Sequence, residues 1–230
     1  MNISKNRKNL IEKIDLKKSY DPIEAIKILK ENSYVKFNES LEIAINLKID
    51  AEKTDQNIRG VINLPKGTGK KIKIAVMTKG DSATEAKESG ADIVGDDDLV
   101  KEISSGKIDF DLLIASPDMM PSIGKVGKIL GPKGLMPNPK LGTVTNDIKK
   151  AVAEAKAGQV EIRNDKDGNI GVSIGKKSFS DENLIKNYKA VIDTLEKEKS
   201  NLNVKGDLIK QVFITSTMGV SYKLKLEKSF

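Results

Sequence analysis

The feature that most constrains this chain is the interruption of one texture by another. Between residues 68 and 159, short apolar runs alternate with helical stretches: Lys71 to Met77, Ser82 to Glu88, Gly90 to Gly95, Asp96 to Ser105, Phe110 to Ala115, Met119 to Leu130 and Asn146 to Lys156. Strands and helices at that spacing predict crossover units on a parallel sheet, since parallel neighbours need a helix-length return. The flanks read differently. Ser40 to Asp50 alternates, with Leu41, Ile43, Ile45, Leu47 and Ile49 to one side and Glu42, Asn46 and Lys48 to the other, a strand with one buried face and one free. Val160 to Arg163, a turn at Asn164 to Gly168, and Asn169 to Ile174 predict a hairpin. Asp21-Pro-Ile-Glu24 predicts a capped helix reaching Glu31 with Ile23, Ala25, Ile26, Ile28 and Leu29 inward. Ser180 predicts the cap of another, Asp181 to Lys199, with Leu184, Ile185, Tyr188, Val191, Ile192 and Leu195 inward. The expected architecture is therefore two domains of mixed class. A discontinuous α+β domain is built from both termini, residues 1–67 and 160–230, and an α/β domain is inserted at 68–159, with a hinge at Gly67 and Gly158.

Near the end, Gln211 to Leu226 reads as one long strand with a break. Its flanks are β-branched, aromatic and alternating, whereas Ser216, Thr217, Met218 and Gly219 place hydroxyls, a thioether and no side chain where a strand would pack. Residues of this kind suit either a bulge or hairpin corner, or a surface where another backbone comes close. Hydroxyls there can bond a ribose 2′-OH or a phosphate, and methionine can lie against a base.

Histidine, cysteine and tryptophan are absent from the 230 residues. That removes Ser-His-Asp and Cys-His catalysis, thiolate redox chemistry and zinc sites with imidazole or thiolate ligands. No apolar segment follows Met1 and none approaches a membrane span, so a soluble cytoplasmic protein with no membrane partner is expected. The 40 basic and 33 acidic residues leave +7, which suits a nucleic-acid partner. The excess is unevenly spread: residues 68–159 hold 14 basic and 13 acidic groups, while 1–67 and 160–230 hold 13 and 10 each. The binding face is expected on the discontinuous domain. Within the insert, residues 119–159 are basic, 7 against 2.

Nucleotide enzymes are the natural rivals of that reading, and their motifs fail. A P-loop needs glycine five residues before Gly69, where Leu64 stands, and a hydroxyl where Lys71 stands. Lys79-Gly80 after the first insert strand is no dinucleotide turn. Asp96, Asp97 and Asp98 suit either a Mg²⁺ site or the acidic first turn of a helix, and no second acidic cluster completes a site, so no metal or cofactor is expected. Gly131 to Gly142, with three prolines, is a stiff basic loop, either a connector or functional. Lys36-Phe37 before Ser40 and Glu42 gathers a cation, a ring and hydrogen-bonding groups, the equipment of an RNA platform, although Phe37 alone equally suits a core. Arg163 and Lys166 add candidate phosphate contacts.

Several stretches fall in the order and spacing of one family: Lys36-Phe-Asn-Glu-Ser-Leu-Glu42, Thr54-Asp-Gln-Asn-Ile-Arg-Gly60, Gly90-Ala-Asp92, Ile129-Leu-Gly-Pro-Lys-Gly-Leu-Met-Pro-Asn-Pro-Lys140, Gly142-Thr-Val144, Arg163-Asn-Asp-Lys166, Gly175-Lys176, Ser178-Phe179 and Thr215-Ser-Thr-Met-Gly219. Over nearly its whole length the chain resembles the large-subunit ribosomal protein L-one family, in its bacterial form. The resemblance implies a non-enzymatic RNA-binding protein in which the split domain is the main binder and the inserted Rossmann-like domain swings on the hinge. It implies binding to large-subunit ribosomal RNA to form the mobile stalk beside the tRNA exit site, repression of the protein's own messenger RNA, and a monomer off the ribosome. Carried over residue by residue, the RNA face is Lys36, Phe37, Ser40, Glu42, Arg163, Asp165, Lys166, Thr217, Met218 and Gly219, with Lys133 and Lys140 forming a secondary basic loop. A generic DNA-binding scaffold and, further off, a nucleotide-dependent enzyme are the alternatives.

Overall fold

A computed structural model of the chain describes residues 5–226 apart from 13, 16–17, 54–55, 81, 201, 203 and 205, so Thr54 and Asp55 of the Thr54 to Gly60 stretch lie outside the described residues. In chain order, the first elements are α1 (Lys5–Glu12), β1 (Ser19–Tyr20), α2 (Pro22–Glu31), β2 (Ser40–Leu47) and β3 (Arg59–Asn63). Then come β4 (Ile74–Met77), α3 (Ser82–Glu88), β5 (Ile93–Gly95), α4 (Asp97–Ser104), β6 (Leu112–Ala115), α5 (Met120–Leu130) and α6 (Ile148–Ala157). The last are β7 (Gln159–Arg163), β8 (Asn169–Lys176), α7 (Asp181–Lys199), β9 (Ile209–Ser216) and β10 (Tyr222–Leu224). The chain separates into two compact units, Met1–Gly69 with Val160–Phe230, and Lys70–Gln159.

The first unit is built on a five-stranded sheet in the order β1-β10-β9-β2-β8. Strand alternation decides its two faces. Leu41, Ile43, Ile45 and Leu47 of β2 point the same way as Ile170, Val172 and Ile174 of β8 and Val212 and Ile214 of β9, and all are buried. Ala25, Ile26 and Leu29 of α2 and Leu184, Val191 and Leu195 of α7 join them in one apolar cluster. The other face, with Glu42, Ala44, Asn46, Gly171 and Ser173, carries no helix and is exposed or half-buried.

The structure departs from several local expectations. Strands β7 and β8 make no hairpin: β7 pairs with β3 in a separate two-stranded sheet, while β8 pairs with β2. The cause is Asn164, whose N–H donates to Ile58 O at 3.2 Å and whose Oδ1 accepts from Ile58 N at 2.8 Å, turning the chain toward β3 before the sheet resumes. Asp21 sits at the N-cap of α2 with Pro22 behind it, yet its side chain caps nothing; it pairs with Lys225 at 3.3 Å. Ile23, expected inward, is exposed, because it lies on the solvent side of α2 from Ala25, Ile26 and Leu29. The Gln211 to Leu226 stretch is a hairpin, not one broken strand: β9 and β10 pair antiparallel with Ile214 opposite Tyr222.

The second unit is a three-stranded parallel sheet, β5-β4-β6. All four residues of β4 are buried, and alternation sends them to two cores. Ala75 and Met77 meet Leu99 and Ile103 of α4 and Ile123, Val126 and Leu130 of α5. Ile74 and Val76 meet Ala86 of α3 and Ile148, Ala151, Val152 and Ala155 of α6. A parallel sheet covered on both faces explains why its strands read as unbroken apolar runs. Asp96 accepts from Asp98 N, so the triple aspartate is the cap and first turn of α4. No described helix is long and apolar enough to cross a membrane.

At the expected hinge positions, Gly67 and Gly158 have φ of 64° and 106°, left-handed values that side-chain-bearing residues rarely take. Gly158 ends α6. Gly67 is pinned by the fully buried Asn187 of α7, a residue on the inner face that helical periodicity of apolar residues does not reveal. Its Oδ1 accepts from Lys66 N at 3.0 Å, and its Nδ2 donates to Gly67 O at 2.9 Å and to Ile174 O at 2.7 Å. Replacing Asn187 with leucine strips three backbone groups of their partner. The expected cost is about 2–4 kcal/mol, read as a lowered thermal midpoint of the discontinuous unit.

Candidate nucleic-acid interface

Strands β2 and β9 are neighbours with Leu41 opposite Ser216, so the segment entering β2 faces the turn leaving β9. Two separate parts of the chain are thereby sewn together. Thr217 N–H donates to Ser40 O at 3.2 Å, and Ser40 N–H donates to Thr217 Oγ1 at 3.1 Å. Glu39, only 1% exposed, accepts at Oε1 from Met218 N at 2.9 Å and from Ser216 Oγ at 3.3 Å. Tyr34 OH donates to Met218 O at 3.3 Å. Gly219 N–H closes the turn on Ser216 O at 3.1 Å. A Cβ added to Gly219 would lie 2.4 Å from Ser216 Oγ, so the glycine is needed to seat that hydroxyl.

What this frame leaves outside is apolar and cationic. Phe37 is 53% exposed and Met218 49%, which removes Phe37 from the core that it equally suited. Lys36, Thr217 and Glu42 are exposed, and Ser40 and Gly219 are half-buried. Lys176, opposite Ser40 across the β2–β8 pairing, donates from Nζ to Ser40 Oγ at 2.8 Å. Asn38 and Ser178 exchange two hydrogen bonds beside them, Nδ2 to Oγ at 2.9 Å and Ser178 N to Oδ1 at 3.1 Å. Ring, thioether, hydroxyls and ammonium groups thus gather at one end of the sheet.

The remaining residues of the expected face gather at the other end. Ser40 pairs with Lys176 at one end of β8 and Asn46 with Asn169 at the other, seven steps or about 23 Å of strand away. There, Arg163 and Lys166 are exposed. Asp165 spends its carboxylate inside the turn, accepting from Asn169 N at 2.7 Å, Asp167 N at 2.9 Å and Asn169 Nδ2 at 3.1 Å. Hydrogen bonds from Asn169, then Asp167, hold its pKa below the ordinary 3.8. Lys133 and Lys140 are exposed in the second unit, on a loop stiffened where Asn138 N donates to Thr143 Oγ1 at 2.7 Å and Asn138 Oδ1 accepts from Lys140 N at 2.9 Å.

Sequence reasoning missed Tyr34, Asn38, Glu39 and Lys176. Glu39 left a signal: it shares the odd-numbered register of Leu41, Ile43 and Ile45, which is the buried one. Lys176 did not. Simple alternation puts it with the buried even-numbered set of Ile170, Val172 and Ile174, and only the irregularity between Leu41 and Glu42, where Gly175 and Ser173 are successive partners, turns it toward Ser40.

The class is that of a split α+β protein carrying an inserted parallel α/β unit, whose exposed chemistry is hydrogen-bonding and stacking groups. Among the described residues no cluster of three or more histidine, cysteine or carboxylate side chains is arranged to hold a metal. Residues 29–220 match the Ribosomal protein L1p/L10e family. The chain is similar to proteins named large ribosomal subunit protein uL1. That of Pelagibacter ubique (strain HTCC1062) is 59% identical over 201 residues, covering 87% of this chain and 88% of the relative. That of Prochlorococcus marinus (strain NATL1A) is 49% identical over 227 residues, covering 99% and 96%. That of Limosilactobacillus reuteri subsp. reuteri (strain JCM 1112) is 47% identical over 222 residues, covering 96% of each. The chain belongs to the ribosomal protein L1p/L10e family, structural proteins rather than enzymes.

Two measurements check the site's internal bonding. Gly219→Ala is expected to cost about 1–3 kcal/mol through overpacking against Ser216; adding Ser216→Ala removes the offending oxygen and returns part of the loss, as a double-mutant cycle in urea would read. For Asp165, the lowered folded pKa means its contribution is present above the unfolded value near 3.8 and is lost as pH falls through the folded value. Amide signals of Asp167 and Asn169 are therefore expected to shift together at a pH below 3.8, and Asp165→Asn to abolish that titration.

Proposed function

We propose that this chain is a constituent of the large ribosomal subunit that binds its ribosomal RNA through the discontinuous unit, residues 1–67 and 160–230, and carries the unit at 68–159 as the moving part of the stalk beside the tRNA exit site. Its relatives' names place those proteins in the large subunit. The observation that carries the RNA reading is the exposed pair Phe37, on the segment entering β2, and Met218, on a turn whose backbone bonds are already made. An unstacked base or a ribose can lie on a ring and a thioether without a particular sequence being required. Lys36 supplies charge for phosphate, and Lys176 occupies a lone pair of Ser40, leaving the Ser40 proton to donate outward. Thr217 is tied to Ser40 on one lone pair, and the other is what it offers a 2′-OH.

Glu42 lies on the helix-free face and accepts from hydroxyl or amino groups. Arg163 and Lys166, a strand's length away, hold phosphate, with Asp165 shaping their turn. The same surface, reading shape and 2′-OH groups, serves a mimic of the ribosomal site on the protein's own messenger and so represses translation. Lys133 and Lys140 form a secondary basic loop on the second unit, tRNA at the exit site is a further partner, and Gly67 with Gly158 are the hinge. Off the ribosome the protein is a cytoplasmic monomer.

The test is titration of purified protein with fragments of large-subunit ribosomal RNA and with DNA of the same sequence across a range of salt. Tight binding to one RNA fragment with a shallow salt slope is expected; equal binding of DNA with a steep slope would replace this reading by generic phosphate attraction. Met218→Asp is expected to weaken RNA binding by more than about tenfold while the thermal midpoint holds, because it places a charge on the contact surface and not in the core. Joining residues 67 and 160 by a short linker is expected to leave a folded, RNA-binding product; a folded product that no longer binds would move the site to the second unit.

A further inference from the structure

Met218 has both of its backbone polar groups taken by side chains of the segment between α2 and β2: its N–H by Glu39 and its C=O by Tyr34. The Glu39 contact is chemically unusual. The side chain is buried, one oxygen serves both Met218 N–H and Ser216 Oγ, and the other, Oε2, is buried with no hydrogen-bond partner. An orphaned buried carboxylate oxygen is costly, and a core of this kind ordinarily excludes one. Among the described residues its side chain makes no other hydrogen bond or ion pair, Leu41 continues the same register as a plain apolar residue, and α2 is joined to α7 independently through Lys30 and Asp181 at 2.6 Å. What Glu39 does is set the conformation of the turn that carries the exposed thioether.

We infer that Glu39 is a positioning residue of the RNA interface, fixing the backbone of Ser216 to Met218 so that the Met218 side chain is presented before RNA arrives. This rests on the RNA-binding reading above. A turn left to itself spends binding free energy on becoming ordered, whereas one already held does not. Reach is what decides it, because the Glu39 main chain is itself fixed by Lys177 N–H donating to Glu39 O at 2.8 Å. From that anchor a glutamate arrives at Met218 N, and a side chain one methylene shorter does not.

The experiment compares Glu39→Ala, Glu39→Asp, Glu39→Gln and the unsubstituted full chain for affinity to the ribosomal-RNA fragment that the unsubstituted protein binds most tightly. Amide hydrogen exchange at Met218 is measured on each free protein. Leu195→Ala serves as a control for general destabilisation; it opens a cavity in the shared apolar cluster and removes no hydrogen bond. Glu39→Ala and Glu39→Asp are expected to lose about tenfold or more in affinity, with faster Met218 exchange, while Glu39→Gln, which keeps reach and an acceptor, stays within about threefold. The inference is overturned if Glu39→Ala and Glu39→Asp bind as tightly as the unsubstituted chain. It is equally overturned if they lose no more than Leu195→Ala does, or if Glu39→Asp binds normally while Glu39→Gln fails, which would make the charge and not the positioning decisive. Should Glu39→Ala not fold, the aspartate and glutamine variants give the same contrast. Absence of RNA binding by the unsubstituted chain would instead remove the functional reading itself.

Discussion

Everything in the first unit depends on one strand being held between two others that arrive much later in the chain. β2 is laid down before the second unit begins, and its partners β8 and β9 both come after that unit ends. Neither half can complete the sheet or bury the odd-numbered side of β2 alone. The pairing tolerates the long separation because closure entropy grows only slowly with loop length, and because the intervening residues fold on their own cores. Apolar burial across the three strands supplies the driving force, with Ile43 and Ile45 each facing isoleucine or valine on both neighbours.

That same pairing builds the candidate interface. Because Leu41 lies opposite Ser216, the entrance to β2 and the exit from β9 are forced side by side, and residues 177 positions apart, Ser40 and Thr217, exchange hydrogen bonds. An interface assembled at a strand end inherits the rigidity of the sheet beneath it. The residues proposed to meet RNA, Phe37 and Met218, contribute nothing to the core and are free to be apolar and exposed. Their supports, Glu39, Tyr34 and Ser216, are bonded to the turn.

How much of this was legible in the sequence follows from how far apart the deciding partners lie. The second unit was readable nearly element by element: its parallel strands are joined in turn through single helices, and the Asp96 cap and the Gly158 stop are local chemistry. The split of the first unit was readable as a return of texture. The pairing of β7 was not, because Asn164 prefers Ile58, more than a hundred residues earlier, to the hairpin that its own turn residues allow. Asp21 failed for a similar reason, its carboxylate drawn to Lys225. At the interface, exposed residues of motif type were legible from the resemblance, while their supports were not: Lys176 reaches the surface by way of a strand irregularity that alternation cannot foresee.

The charge distribution points the same way as the geometry. Net charge on the two outer segments is modest, and several of their lysines are already engaged: Lys30 with Asp181, Lys48 with Asp207 and Lys225 with Asp21. Each such pairing lowers what the surface offers a polyanion without regard to its shape, since non-specific affinity scales with the number of phosphates neutralised. Specificity must then come from contacts that a wrong partner cannot satisfy, and a preset turn is suited to that. A flexible one would adapt to many shapes at similar cost, whereas under the proposed function a turn fixed by Glu39 and Ser40 penalises a partner whose ribose or base does not meet Met218 where it already stands.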